Sequence, residues 1–158
     1  MKNFITTENW SKNELQDILD YARDLKINRF QKTLKNKSIG LLFFNPSMRT
    51  RTSFEIGIKE LGGFAVVLQP GKDAWPIEFK LNSIMDNDTE EHIIEVAKVL
   101  SEYCDLIAIR AFPKFQNLEE DFSDNLINSF AKYSSVPVVN METITHPCQE
   151  LAHILTMQ

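Results

Sequence analysis

Ser38-Ile39-Gly40-Leu41-Leu42-Phe43-Phe44, followed at once by Asn45-Pro46-Ser47-Met48-Arg49-Thr50-Arg51-Thr52-Ser53-Phe54-Glu55, reads as a strand covered on both faces that runs into a helix. The strand is almost wholly apolar, and Pro46 forces a break before the helix starts. A helix start carries unpaired backbone N–H groups and the positive end of the helix dipole. Ser47, Arg49, Thr50 and Arg51 add hydroxyl and guanidinium donors at the same place, a combination suited to a phosphate dianion. In an arbitrary sequence Ser47 would only cap the helix and the arginines would lie in solvent. Here the donors fall at the carboxyl end of a buried strand, where open α/β sheets bind ligands.

Working outward, apolar runs alternate with amphipathic ones. Ser11-Lys12-Asn13-Glu14 has the pattern of a capping box, and Leu15, Ile18, Leu19, Ala22, Leu25 and Phe30 form the apolar stripe of an N-terminal helix. Strand 38–44 and helix 49–61 follow, then Gly63 and a second strand, Phe64 to Leu68. A long connection from Gln69 to Asn87 carries Pro70, Gly71, Trp75 and Pro76; loops of that length tend to be functional. Asp88 or Thr89 is expected to cap a helix through Ile93, Val96, Ala97 and Leu100, and Asp105 to Arg110 is a third strand. A helix near 122–133 leads to a fourth strand, Val136 to Met141, and Cys148 to Gln158 reads as a last helix. The alternation predicts a doubly wound α/β fold, with a parallel sheet of about four strands flanked by helices. One edge of that sheet should collect Ser47, Arg49 and Thr50, Arg110, and the segment from Glu142 to Gln149.

Composition narrows the function. The chain has 158 residues, 43% hydrophobic and 25% charged, enough for one ordinary core. A net charge of −5 with dispersed basic residues argues against nucleic acid as a partner. No apolar run approaches the ~20 residues a bilayer span needs, and the polar start is unlike a signal peptide, so no membrane partner and a cytoplasmic setting are expected. Cys104 and Cys148 form neither a zinc motif nor a disulfide framework, and the three histidines lack ligand spacing, so no metal or cofactor is expected. The Walker loop is absent, and Gly57, Gly62 and Gly63 do not match the dinucleotide fingerprint. A signalling receiver domain would need acidic residues where Asn45-Pro46-Ser47 stands.

Two motifs make the reading specific. Ser47-Met48-Arg49-Thr50-Arg51-Thr52 is similar to the Ser-x-Arg-Thr-Arg signature of the aspartate and ornithine carbamoyltransferase family, and His146-Pro147-Cys148-Gln149 resembles its His-Pro-x-Gln signature. The strings Val67 to Pro76 and Asn140 to Thr145 resemble the acetylornithine-using branch in particular. The resemblance implies carbamoyl transfer from carbamoyl phosphate to the side-chain amine of N-acetylornithine, giving N-acetylcitrulline and phosphate on a route to arginine. It implies that Ser47, Met48, Arg49 and Thr50 hold the phosphate, that Arg110, His146, Pro147, Cys148 and Gln149 line the carbamoyl group, and that Thr50, Arg110 and His146 act catalytically. Trp75 would reach a neighbouring subunit's carbamoyl phosphate, which implies a homotrimer with shared sites. Glu142 would contact acetylornithine. Glu90 would select acetyl over succinyl substrates, although as a first-turn carboxylate it would also gain about 0.5 kcal/mol from the helix dipole.

Family members carry a second domain, and this chain stops inside a predicted helix. The expectation is a carbamoyl-phosphate-binding domain over 1–146 and the start of an interdomain helix over 147–158, with the amino-acid-binding domain absent. Such a half-enzyme is expected to bind phosphate without turnover. The alternatives are a non-catalytic phosphate-binding or assembly module, and a transferase for N-succinylornithine or ornithine.

Overall fold

In the computed structural model, which describes residues 2–80, 83–85 and 89–158, the apolar run is strand β1 (Ser38–Phe43). It pairs in parallel with β2 (Phe64–Leu68) on one side and β5 (Leu106–Arg110) on the other, and β5 pairs with β6 (Val138–Glu142), giving the order β2-β1-β5-β6. Phe4 extends the sheet past β6, donating its N–H to Val138 O at 2.8 Å and accepting from Asn140 N at 2.8 Å. A two-residue parallel ribbon joins β3 (Ile77–Glu78) to β4 (Glu91–His92). Chain order reverses between β1 and β5, so the sheet's switch point lies at their carboxyl ends.

The strands are apolar on both faces because helices cover both. Leu42, Ile107, Ile109 and Val138 face a core shared with α3 (Ile93–Tyr103) and α5 (Asn125–Tyr133), which add Ile93, Ala97, Ile127 and Phe130. Ile39, Leu41, Phe43 and Ala108, the alternate positions, pack with Ile58 and Phe54 of α2 (Met48–Glu60) on the other face. Each such fully buried aliphatic or aromatic side chain stabilises the fold by about 1.5–3 kcal/mol. That outweighs any single cap, worth about 1 kcal/mol.

Caps nevertheless decide where elements begin and end. Ser11 accepts from Glu14 N at 3.3 Å and Glu14 accepts from Ser11 N at 2.8 Å, so α1 (Lys12–Ile27) starts at the expected box. The Lys2 ammonium and the Ser11 donors hold the Glu14 carboxyl at about 2. α2 ends in a Schellman motif: Gly62 N–H donates to Lys59 O at 3.0 Å and Gly63 N–H to Ile58 O at 2.9 Å, with Gly62 at φ 83, which a Cβ would strain.

Several boundaries differ from expectation: β6 opens at Val138 rather than Val136, and the connection expected from Gln69 to Asn87 holds β3. α1 ends at Ile27, and Phe30 lies beyond it, 81% exposed, outside the apolar stripe. α3 begins at Ile93, capped by His92, whose Nδ1 accepts from Ile94 N at 3.2 Å while Glu95 accepts from His92 N at 3.4 Å. Thr89 is not the cap, and Asp88, the other candidate, lies outside the described residues. Pairing with β3 holds Glu91 and His92 extended, which delays the helix and leaves Glu90 outside its first turn, so the dipole stabilisation expected for Glu90 does not apply. The helix expected near 122–133 is two helices, α4 (Leu118–Ser123) and α5, broken at Asp124, whose backbone is left-handed (φ 44, ψ 44). The last helix, α6 (Pro147–Met157), opens with Pro at its first position, where a missing N–H costs nothing.

Candidate carbamoyl phosphate site

At the switch point the first turns of α2 and α6 and the ends of β5 and β6 enclose a cleft of about 480 Å³. Ser47, Arg49, Thr50, Arg110, Glu142, His146, Cys148 and Gln149 line it. Residues from three separated parts of the sequence thus meet in one place. Ser53, Phe54 and Ala152 also line it, outside the residues expected from the motifs. Their signal was there in helical spacing, since Ser53 and Phe54 stand three and four residues after Thr50, and Ala152 three after Gln149.

α2 contributes its first turn. Ser47 caps it, accepting from Thr50 N at 3.1 Å, and no acidic residue sits in its first turn, so the positive dipole end is unopposed. Arg49 is exposed and, among the described residues, makes no ion pair. Arg51 does not join it. Two residues along a helix is a turn of about 200°, and Arg51 instead pairs with Glu55 at 2.7 Å, one turn on. Met48 is 81% exposed and does not line the cleft.

β5 and β6 contribute a charge pair. Their register slips between Ile109 and Arg110, so that Arg110 stands opposite Glu142. Such a bulge re-aims the side chains beside it. The Arg110 guanidinium is ion-paired to Glu142, lies 4.4 Å from the centre of the Phe112 ring, and reaches Thr50 Oγ1 at 3.4 Å. Its side chain is 10% exposed, and Nε is buried without a partner. A buried guanidinium keeps its charge, so this is a fixed positive pole in the cleft.

α6 contributes His146, whose Nε2 lies 3.4 Å from Glu142 Oε2. Burial, with the Arg110 charge, pushes the imidazole below the usual histidine value against the pull of Glu142 and Glu150. Near pH 7 it is neutral and presents one N–H donor. Burial pushes the Cys148 thiol up to about 11, so it stays protonated, and its Sγ donates to Asn140 O at 3.5 Å. Pro147 is buried at the helix start and does not line the cleft. Gln149 is exposed at the rim.

Two expected residues stand apart. Trp75, 63% exposed, borders a different cavity of about 430 Å³ that also takes in Leu42, Leu68, Ile77 and Glu91. Glu90 is exposed and does not line the cleft. Among the described residues no group of three or more His, Cys, Asp or Glu is placed to hold a metal ion, and no helix is long and apolar enough to cross a membrane.

Residues 2–158 match the model of the aspartate/ornithine carbamoyltransferase carbamoyl-P binding domain. The chain is 63% identical over its whole length to 47% of the N-acetylornithine carbamoyltransferase of Xanthomonas campestris pv. campestris. It is 36% identical, over 92% of its length, to 46% of the N-succinylornithine carbamoyltransferase of Bacteroides fragilis. Among solved structures, an acetylornithine transcarbamylase complexed with acetylcitrulline superposes on the whole chain with a TM-score of 0.98 at 63% identity, 47% of that protein being covered. A glutamate variant of N-acetyl-L-ornithine transcarbamylase complexed with carbamyl phosphate and N-succinyl-L-norvaline gives the same score and identity, with 48% covered. The chain spans about half the length of the relatives it matches. The signature residues, the sheet order and the whole-length matches agree, and the chain belongs to the aspartate/ornithine carbamoyltransferase family as its carbamoyl-P binding domain.

Proposed function

We propose that this chain supplies the carbamoyl-phosphate half of an N-acetylornithine carbamoyltransferase. The observation that carries the reading is the meeting of Arg49, Thr50, Arg110 and His146 in one cleft at the switch point. The α2 turn, with Ser47, Arg49 and Thr50, holds the phosphate. Thr50, Arg110 and His146 face the carbamoyl oxygen. As the amine attacks the carbonyl carbon, the new C–N bond forms and negative charge collects on that oxygen. The C–O bond to phosphate then breaks, and the departing phosphate takes the amine proton. Each preorganised donor on the developing charge lowers the barrier by about 3 kcal/mol. The protonated Cys148 thiol suits direct attack by the amine rather than a covalent enzyme intermediate.

Residues 1–146 bind carbamoyl phosphate in this reading, and a second domain, in keeping with the doubled length of the relatives, binds most of the amino acid. Glu142 reaches acetylornithine from the strand end. The exposed Trp75 crosses to a neighbouring site in a cytoplasmic homotrimer of arginine biosynthesis. Glu90, free of any helix role, selects acetyl over succinyl by repelling the extra carboxylate. In a polypeptide carrying both family domains, acetylornithine turnover should exceed that of succinylornithine and ornithine, and Glu90→Pro should raise succinylornithine turnover about tenfold relative to acetylornithine, the size of one unfavourable charge contact of ~1.4 kcal/mol. Unchanged relative rates would remove Glu90 from the reading, and preference for free ornithine would overturn the choice of substrate.

A further inference from the structure

Glu142 and His146 stand at the two ends of a short turn, Thr143 to Thr145, closed by the Thr143 N–H donating to Thr145 O at 2.9 Å. Its orientation on the sheet is set by Asn140, three residues before Thr143, and by Asp124, distant in sequence. Asn140, fully buried on β6, donates through Nδ2 to Thr143 Oγ1 at 2.9 Å and Ile5 O at 3.0 Å, with Thr145 Oγ1 3.2 Å from the same nitrogen. Asp124, between α4 and α5, accepts from the Thr143 hydroxyl. The Thr143 hydroxyl therefore accepts from Asn140 and donates to Asp124, which fixes its rotamer from both sides.

Asp124 is unusual for its place. It precedes α5 as the N-cap residue, yet its side chain makes no capping bond. Its backbone is left-handed, a conformation that a glycine takes without cost. The plain explanation is that Asp124 is a tolerated helix breaker. That leaves unexplained why a half-buried carboxylate gives up the cap to hold a turn, since burial pushes its carboxyl up while the Thr143 hydrogen bond pulls it down.

We propose that Asp124 is a positioning residue for the site, which by anchoring the Thr143–Thr145 turn sets where Glu142 and His146 face Arg110. The inference rests on the carbamoyl phosphate reading above. Asp124 touches no cleft-lining group itself, so its effect passes through the turn.

The test compares Asp124→Gly, which keeps the left-handed backbone and loses the acceptor, with Asp124→Asn, which keeps both. Two readouts are taken on the full chain: carbamoyl phosphate binding by calorimetry, and the titration midpoint of the His146 imidazole by NMR without ligand. His146 faces Glu142 on β6, Arg110 on β5, Arg49 on α2, and Glu150 and His153 on α6, and none of these changes in either variant. The Gly variant should bind about tenfold more weakly, as for a lost charge-assisted hydrogen bond, and its His146 midpoint should rise toward that of free histidine as the turn opens to water. The Asn variant should stay within about twofold of wild type. Thr143→Val, which cuts the same link from the other side, should reproduce the Gly result and serves if the Gly variant does not fold. Wild-type binding and an unmoved His146 in the Gly and Val variants would overturn the proposal, as would an Asn variant as impaired as Gly. If wild type does not bind carbamoyl phosphate, the functional reading fails, and the His146 midpoint alone still decides the role of Asp124.

Discussion

Replacing Arg110 with alanine is expected to remove measurable carbamoyl phosphate binding and to weaken the fold as well. Among the described residues the guanidinium is the one buried positive charge lining the cleft, and in the proposed reading it is one of the donors to the carbamoyl oxygen. Its loss also strands Glu142. Breaking a buried ion pair typically costs about 3–5 kcal/mol, but the Glu142 side chain is 27% exposed and water screens it in part, so about 2 kcal/mol is expected in chemical denaturation. Adding Glu142→Gln to Arg110→Ala should restore most of that stability without restoring binding. Recovery of binding in the double variant would mean that the site needs neutrality at this position rather than a positive charge.

Arg49→Ala should separate the two effects. Arg49 is exposed and has no ion-pair partner among the described residues, so the melting temperature should not move. A charge-assisted hydrogen bond is worth about 1.5–3 kcal/mol, so binding should fall about 10- to 100-fold. Arg51→Ala, two residues on and paired with Glu55, is the matched control and should change binding less than about threefold, the share of a screened surface charge. Equal losses for Arg49 and Arg51 would mean that general positive potential, rather than a placed side chain, attracts the anion.

The contrast between these arginines also shows how far sequence carries. Arg51 falls away from the cleft although the sequence groups it with Arg49, because two residues along a helix are a turn of about 200°; the donors at the strand ends were legible because a parallel sheet gathers its carboxyl ends along one edge. The buried strands were equally plain, since Ile39 to Phe43 and Ile107 to Ile109 are apolar on both faces. The start of α3 was not. Asp88 and Thr89 are better caps than histidine by type, and the β3–β4 ribbon that postpones the helix to Ile93 joins residues fourteen apart in sequence. The Arg110–Glu142 pair needed the bulge in the β5–β6 register. The Asp124 contact needed both the helix break and the proximity of residues 124, 140 and 143, which no local pattern encodes.

In the proposed reading the α2 turn and the Arg110–His146 pole form one carbamoyl phosphate site. Calorimetric titration of the chain with carbamoyl phosphate, repeated in the presence of inorganic phosphate, tests it most directly. One saturable site per chain, weakened in competition by phosphate, about 10- to 100-fold weaker in Arg49→Ala and lost in Arg110→Ala, is the predicted result. Heats that do not saturate, or that are the same in wild type and both variants, would contradict it.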